Sequence, residues 1–218
     1  MQHELRVIRT GAAARPPQPR ACYAAALTMR ARTLALLGVG AYALYRLSQQ
    51  TGLPPGVHPV TPFRLERWLG RWYEIARIDP PQDRGLTDGV VHHSLLPDGT
   101  LQIARRGFDT RLGRWRTTTA RARPAHPSRE AHLHLSLVWP VRTSRAVFDI
   151  DDADQHALVC GPTHDQLWLL ARSPTMRAAT RARLLDRARA AGFDVGRLTW
   201  VDHRRSVAVV GRGSSSTH

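Results

Sequence analysis

Between residues 131 and 137 the chain alternates strictly: Ala131, Leu133, Leu135 and Leu137 share one parity, while His132, His134 and Ser136 hold the other. A period of two marks a strand with one dry face and one wet face. Leu133, Leu135 and Leu137 are therefore predicted to face an interior. Further on, Phe148 and Ile150 stand on the parity opposite to Asp149 and Asp151, and because the carboxylates prefer water, Phe148 and Ile150 are predicted inward as well. Trp168, Leu170 and Arg172 share another parity. Turn signals recur at about ten- to fifteen-residue spacing, which predicts strands at 71–78, 89–96, 100–107, 115–123, 131–138, 145–151, 156–160 and 166–172. Pro97-Asp98-Gly99, the run 109–113 and the run 124–128 read as connecting turns.

Eight antiparallel strands suffice to close a barrel around one small ligand. The predicted fold is all-β, an eight-stranded antiparallel up-and-down β-barrel. From Arg177 to Ala191 the apolar spacing becomes helical, with Pro174 before it, Gly192 after it, and Met176, Leu184, Leu185, Ala188 and Ala191 close to one face. That C-terminal helix is predicted to pack on the outside of the barrel. A short final strand, 198–201, is predicted to return beside the first.

The barrel domain is predicted over residues 62–204. Before it, residues 1–28 are rich in Ala, Pro and Arg and read as a disordered or untranslated leader, since Met29 is a second candidate start. Residues 29–47 read as a signal peptide or N-terminal anchor: Arg30 and Arg32 precede an apolar run, and Ala41-Tyr42-Ala43 has the small-X-small form of a cleavage site. The run is short for a membrane span, which needs about 20 residues. Residues 48–61, with Gly52, Pro54, Pro55, Gly56 and Pro59, read as a linker, and 205–218 as a flexible tail.

Composition adjusts this picture in two ways. The formal net charge is +15 over 218 residues, yet all 32 basic residues are Arg and none is Lys. They are scattered through leader, hairpins, helix and tail, whereas a nucleic-acid binder gathers its charge on one face or arm. No nucleic-acid partner is expected. The cysteines are Cys22 and Cys160, too few for a disulfide framework. Cys160 lies in an apolar run and reads as a buried free thiol.

The strongest local signature is Leu69-Gly70-Arg71-Trp72-Tyr73-Glu74-Ile75-Ala76-Arg77, placed just after the apolar lead-in from Phe63 to Trp68. Glycine permits a sharp turn there, and the Trp two positions later can plug one end of a closed sheet. It is joined by Arg84-Gly85-Leu86, Gly107-Phe108, Gly113-Arg114-Trp115, the run 156–162, Leu167 to Arg172 with Pro174-Thr175, Gly192-Phe193-Asp194 and Trp200-Val201. Over about residues 62–203, this ordered set resembles the lipocalins of the bacterial outer-membrane-lipoprotein type. The resemblance implies a closed barrel end at which the first-strand Trp and last-strand Arg pack together, a role that falls on Trp72 and Arg172. It departs from the bacterial pattern in one respect: no Cys lies between Ala43 and the domain to carry a lipid.

The inward positions Leu133, Leu135, Leu137, Phe148, Ile150 and Trp168, together with Trp139 at the rim, are the candidate ligand-binding residues. An apolar cavity with few polar groups suits an elongated hydrophobe or a lysolipid. Arg142 and Arg145 flank the loop after the fifth strand and read as solvated loop charges, with a phosphate head group as the alternative partner. His132 and His134 lack a third ligand and read as a solvent-facing pair. Asp149, Asp151, Asp152 and Asp154 do not match a calcium loop, which needs Gly at its sixth position and Glu at its twelfth.

No catalytic residue, metal or cofactor is expected. The expected function is a non-enzymatic carrier or store of a fatty acid or lysophospholipid in the periplasm or cell envelope, in contact with a membrane surface. A lipid-modifying barrel enzyme and a membrane-associated interaction module are the alternatives, and monomer and homodimer both stay open.

Overall fold

A computed structural model of the protein describes residues 49–78, 83–125, 130–136 and 142–205. The leader and the signal peptide or anchor segment, with residue 48, the tail from 206, and Leu137 and Trp139 of the expected ligand-binding set lie outside the described residues.

Strands β2 (Gly70–Ile78), β3 (Leu86–Leu95), β4 (Leu101–Asp109), β5 (Arg114–Pro124), β6 (His132–Ser136), β7 (Arg142–Ile150), β8 (His156–Cys160) and β9 (Leu167–Ala171) run antiparallel in sequence order. Pairing of β2 with β9 closes them into the eight-stranded up-and-down barrel. Closure leaves these strands no free edge. A two-residue strand β1 (Gln49–Gln50) runs parallel to β7, and β10 (Leu198–Trp200) lies antiparallel to the far half of β2. Helix α1 (Leu65–Trp68) precedes the barrel, and helix α2 (Ala178–Ala190) follows it.

Two apolar clusters divide along the barrel wall. One fills the lumen with Trp68, Trp72, Val91, Leu101, Ile103, Leu133, Leu135, Val147, Val159, Trp168 and Leu170. The other covers the outside, where Tyr73, Ile75, Ile78, Phe148, Leu158, Leu167 and Leu169 pack beneath Leu184 and Ala188 of α2. Strands dry on both faces read as continuous apolar runs, and β9 is buried along its whole length. Part of the Arg charge of α2 is neutralised against the wall, because Arg183 and Arg187 both pair with Asp149 of β7.

The segment predicted as a linker is packed against the barrel. Ser144 donates to Gly52 O, Val57 is buried and Leu53 joins the outer cluster. Val60 bonds to both sides of the wall, donating to Val147 O and accepting from Ala131 N. Three apolar residues, Leu53, Val57 and Val60, give this stretch something to bury, which its Pro and Gly content obscures.

Phe148 is a correction. It was expected in the lumen, but it lies in the outer cluster, stacked on Phe193 with ring centroids 5.5 Å apart. The register of β7 on β8 shifts between Val147 and Asp149, and a bulge of one residue reverses parity beyond it. Val147 and Ile150 consequently both belong to the lumen side, with Phe148 and Asp149 outside between them.

Candidate ligand-binding lumen

One end of the barrel is closed by the chain that leads into β2. Phe63, Leu65 and Leu69 pack against the lumen cluster, and Trp68 stands with its ring centroid 4.6 Å from that of Trp72. Trp72 Nε1 donates to Trp68 O at 2.9 Å. Above the Trp72 ring lies Arg172, its guanidinium carbon 3.9 Å from the centroid. Nη1 and Nη2 donate to Arg71 O at 2.8 Å and Arg67 O at 2.7 Å. The fork thus joins the ring to one carbonyl of the lead-in and one at the start of β2. Gly70 has φ of +91°, and a Cβ there would stand 3.4 Å from Arg172 Nη1, so both the turn and the guanidinium favour glycine at this position.

On the wall formed by β2, β3 and β4 lies a buried charge network. Arg105 meets Glu74 with both prongs, Nε to Oε1 at 2.5 Å and Nη2 to Oε2 at 2.8 Å, and its Nη1 donates to Asp83 Oδ2 at 2.7 Å. Arg77 donates to Glu74 Oε2 at 3.2 Å and to Leu86 O at 2.7 Å. Both Glu74 and Arg77 are fully buried. Burial by itself would raise the Glu74 carboxyl; the charge and hydrogen bonds of Arg105, then the charge of Arg77, hold it below its ordinary value. Gly89 makes the approach possible: a Cβ there would stand 2.6 Å from Glu74 Oε2. Glu74 and Arg77 face inward three residues apart because the β2–β9 register shifts between Glu74 and Ala76.

Leu133, Leu135 and Trp168 lie in the lumen cluster, and Ile150 packs against it. The cavity left between Trp68, His93, Leu133, Arg145, Val159 and Trp168 is about 10 Å³, room for one water molecule. Arg145 is the second correction. Read as a solvated loop charge, it lies within β7, which begins at Arg142, and its guanidinium carbon is 4.1 Å from the centroid of the Trp168 ring. Its parity with Val147, which faces the lumen, was the signal that would have found it. Burial first, then the charge of Arg105, lowers it to about 10, against the opposing pull of Glu74 and Asp83, so it stays protonated at neutral pH.

His132 and His134 stand edge to face, centroids 5.3 Å apart, on the face of β6 opposite Leu133 and Leu135. Asp151 caps its turn, accepting from Gln155 N, His156 N and His156 Nδ1. Cys160 is a buried free thiol pushed up to about 12 by burial, which removes the thiolate and its reactivity.

The sequence profile of the lipocalin-like domain matches residues 63–203, and the chain belongs to the lipocalin family. It is 35% identical over 173 residues to the outer membrane lipoprotein Blc of Escherichia coli strain K12, covering 79% of this chain and 97% of that one. It is 32% identical over 154 residues to the Blc protein of Vibrio cholerae, covering 70% and 90%. Among solved structures, insecticyanin from the tobacco hornworm Manduca sexta superposes with a TM-score of 0.58 at 14% identity, covering 71% of this chain and 88% of that one. At that identity the likeness concerns the fold.

Proposed function

We propose that the protein binds and carries a small amphiphile of the fatty-acid or lysophospholipid class in its barrel, in the cell envelope and in exchange with a membrane surface. The observation that supports this most directly is the apolar cluster inside the barrel, closed at one end by Trp68 and Trp72 and including Leu133, Leu135, Ile103, Val147, Val159 and Trp168. Transfer of about ten methylenes from water into such an interior contributes up to about 8 kcal/mol before ordering and desolvation are subtracted. Low-micromolar binding needs only part of that. Because the cavity is about 10 Å³, uptake of an acyl chain requires lining side chains to move, and the unbranched Arg145 is the one with most rotamer freedom. The kinship with Blc proteins, outer membrane lipoproteins by name, supports the envelope location.

Native mass spectrometry of the purified protein, followed by lipid extraction, tests the reading. A copurified acyl species is the expected result. Failure to bind any added fatty acid or lysophospholipid overturns it, and turnover of an added ester would replace the carrier by a lipid-modifying enzyme.

A further inference from the structure

The lumen holds more hydrogen-bond donors than acceptors to receive them. Trp68 Nε1 and Trp168 Nε1 are buried in residues 2% and 3% exposed, and neither has a hydrogen-bond partner; nor does His93 Nδ1, in a residue 4% exposed. An indole N–H can only donate. All three side chains line the same cavity, and so does Arg145.

Arg145 differs from the other guanidinium groups inside the barrel. Arg105 has Glu74 and Asp83, and Arg77 has Glu74, whereas Arg145 has the face of Trp168 and no ion pair or hydrogen bond to another described residue. Among these described interior groups, three guanidinium groups stand against two carboxylates. A half-buried cation inside the barrel without a counter-charge attracts an anion, buried N–H groups without acceptors are unfavourable, and one oxyanion answers both. Glu74 also lines the cavity, but the two prongs of Arg105 already occupy both of its oxygens.

We propose that the lumen is a site for a single oxyanion, carried in as the head group of an acyl amphiphile, with Arg145 as counter-ion and Trp68 and Trp168 as neutral donors. The proposal rests on the carrier reading and extends it to the polar end of the ligand. Trp68 belongs to the closed end, so the head group enters first and the chain trails toward the mouth. Arg145 lifts off the Trp168 ring to admit it. A fatty-acid carboxylate and a lysophospholipid phosphodiester share this chemistry.

The test uses the purified chain and its Arg145→Met variant, with displacement of the neutral fluorophore N-phenyl-1-naphthylamine by palmitate, 1-hexadecanol and palmitoyl-lysophosphatidylglycerol. In the wild-type protein at least one anionic ligand should bind about tenfold or more tighter than hexadecanol, the increment of a charge-assisted hydrogen bond. The anion with the larger ratio identifies the source. In Arg145→Met that ratio should fall to near one, while hexadecanol and the fluorophore still bind. A ratio near one in the wild type or a ratio unchanged by the substitution overturns the anion site. Equal binding of all three ligands leaves the carrier reading standing; failure of the fluorophore and every ligand to bind removes the carrier reading itself.

Discussion

Arg172, directly after the last barrel strand, covers Trp72 of the first, 3.9 Å from the ring centroid, and bonds to the carbonyls of Arg71 and Arg67 on either side. The contact therefore locks the lead-in segment, the ring and the strand pair β2–β9 into one unit. Arg172→Ala should lower stability by about 2 to 4 kcal/mol, from the lost cation–π contact and the two lost charge-assisted hydrogen bonds. Arg172→Lys should recover little, since it keeps charge and loses the planar fork. Urea unfolding of a double-mutant cycle with Trp72→Ala checks this; strictly additive losses would deny the coupling.

Gly89 and Glu74 form a second pair whose fit is testable. Gly89→Ala places a methyl carbon 2.6 Å from Glu74 Oε2, inside a buried ion pair that cannot retreat. A loss of about 1 to 3 kcal/mol is expected from overpacking. Glu74→Ala alone should lose about 3 to 5 kcal/mol, because Arg105 and Arg77 lose the buried carboxylate they share. The double variant should lose less than the sum, as the methyl group then fills the space the carboxylate left. Additivity in urea titrations would mean the two sites do not compete for that space.

His93 and Glu74 both make the protein acid-sensitive, His93 starting at higher pH and the two windows overlapping below about 4.5. Burial, then the charges of Arg145, Arg172 and His92, push His93 down to about 3, whereas the unfolded chain takes up its proton near 6.5. Between those values the unfolded state holds more protons, so stability falls as pH falls, by up to about 1.4 kcal/mol per pH unit. Glu74 acts lower: its contribution is present above about 4.5 and is lost as pH drops through its lowered folded value. His93→Phe should lose less stability than wild type between pH 7 and pH 5. Equal losses, measured as urea midpoints at the two pH values, would assign the sensitivity elsewhere.

Phe148 separates stability from binding. It stacks on Phe193 beneath α2, outside the barrel wall, at 3% exposure. Phe148→Ala should lower stability by about 3 to 5 kcal/mol and leave the affinity for N-phenyl-1-naphthylamine within about twofold, since the cavity it opens lies outside the lumen. A selective loss of fluorophore binding in a folded variant would return Phe148 to the ligand.

The sequence by itself determined the strands, their order and the helix outside them, because period-two alternation, turn residues and a helical apolar stripe are local properties that survive any packing. Leu133 and Leu135 were legible for the same reason: β6 is regular, so parity carries from one residue to the next. Phe148 was not, because the bulge between Val147 and Asp149 reverses parity inside a single strand, and whether a bulge forms depends on what the neighbouring strand and α2 offer; Arg145, ahead of the bulge, was missed because its charge was assigned to water. The register shift between Glu74 and Ala76 acts alike, turning Glu74 and Arg77 inward together. Arg105 reaches Glu74 across 31 residues of sequence and over a glycine. Charges read along a chain are assigned to water; only the tertiary structure decides which of them meet a partner first, and in Arg145 it leaves one inside the barrel facing an indole ring.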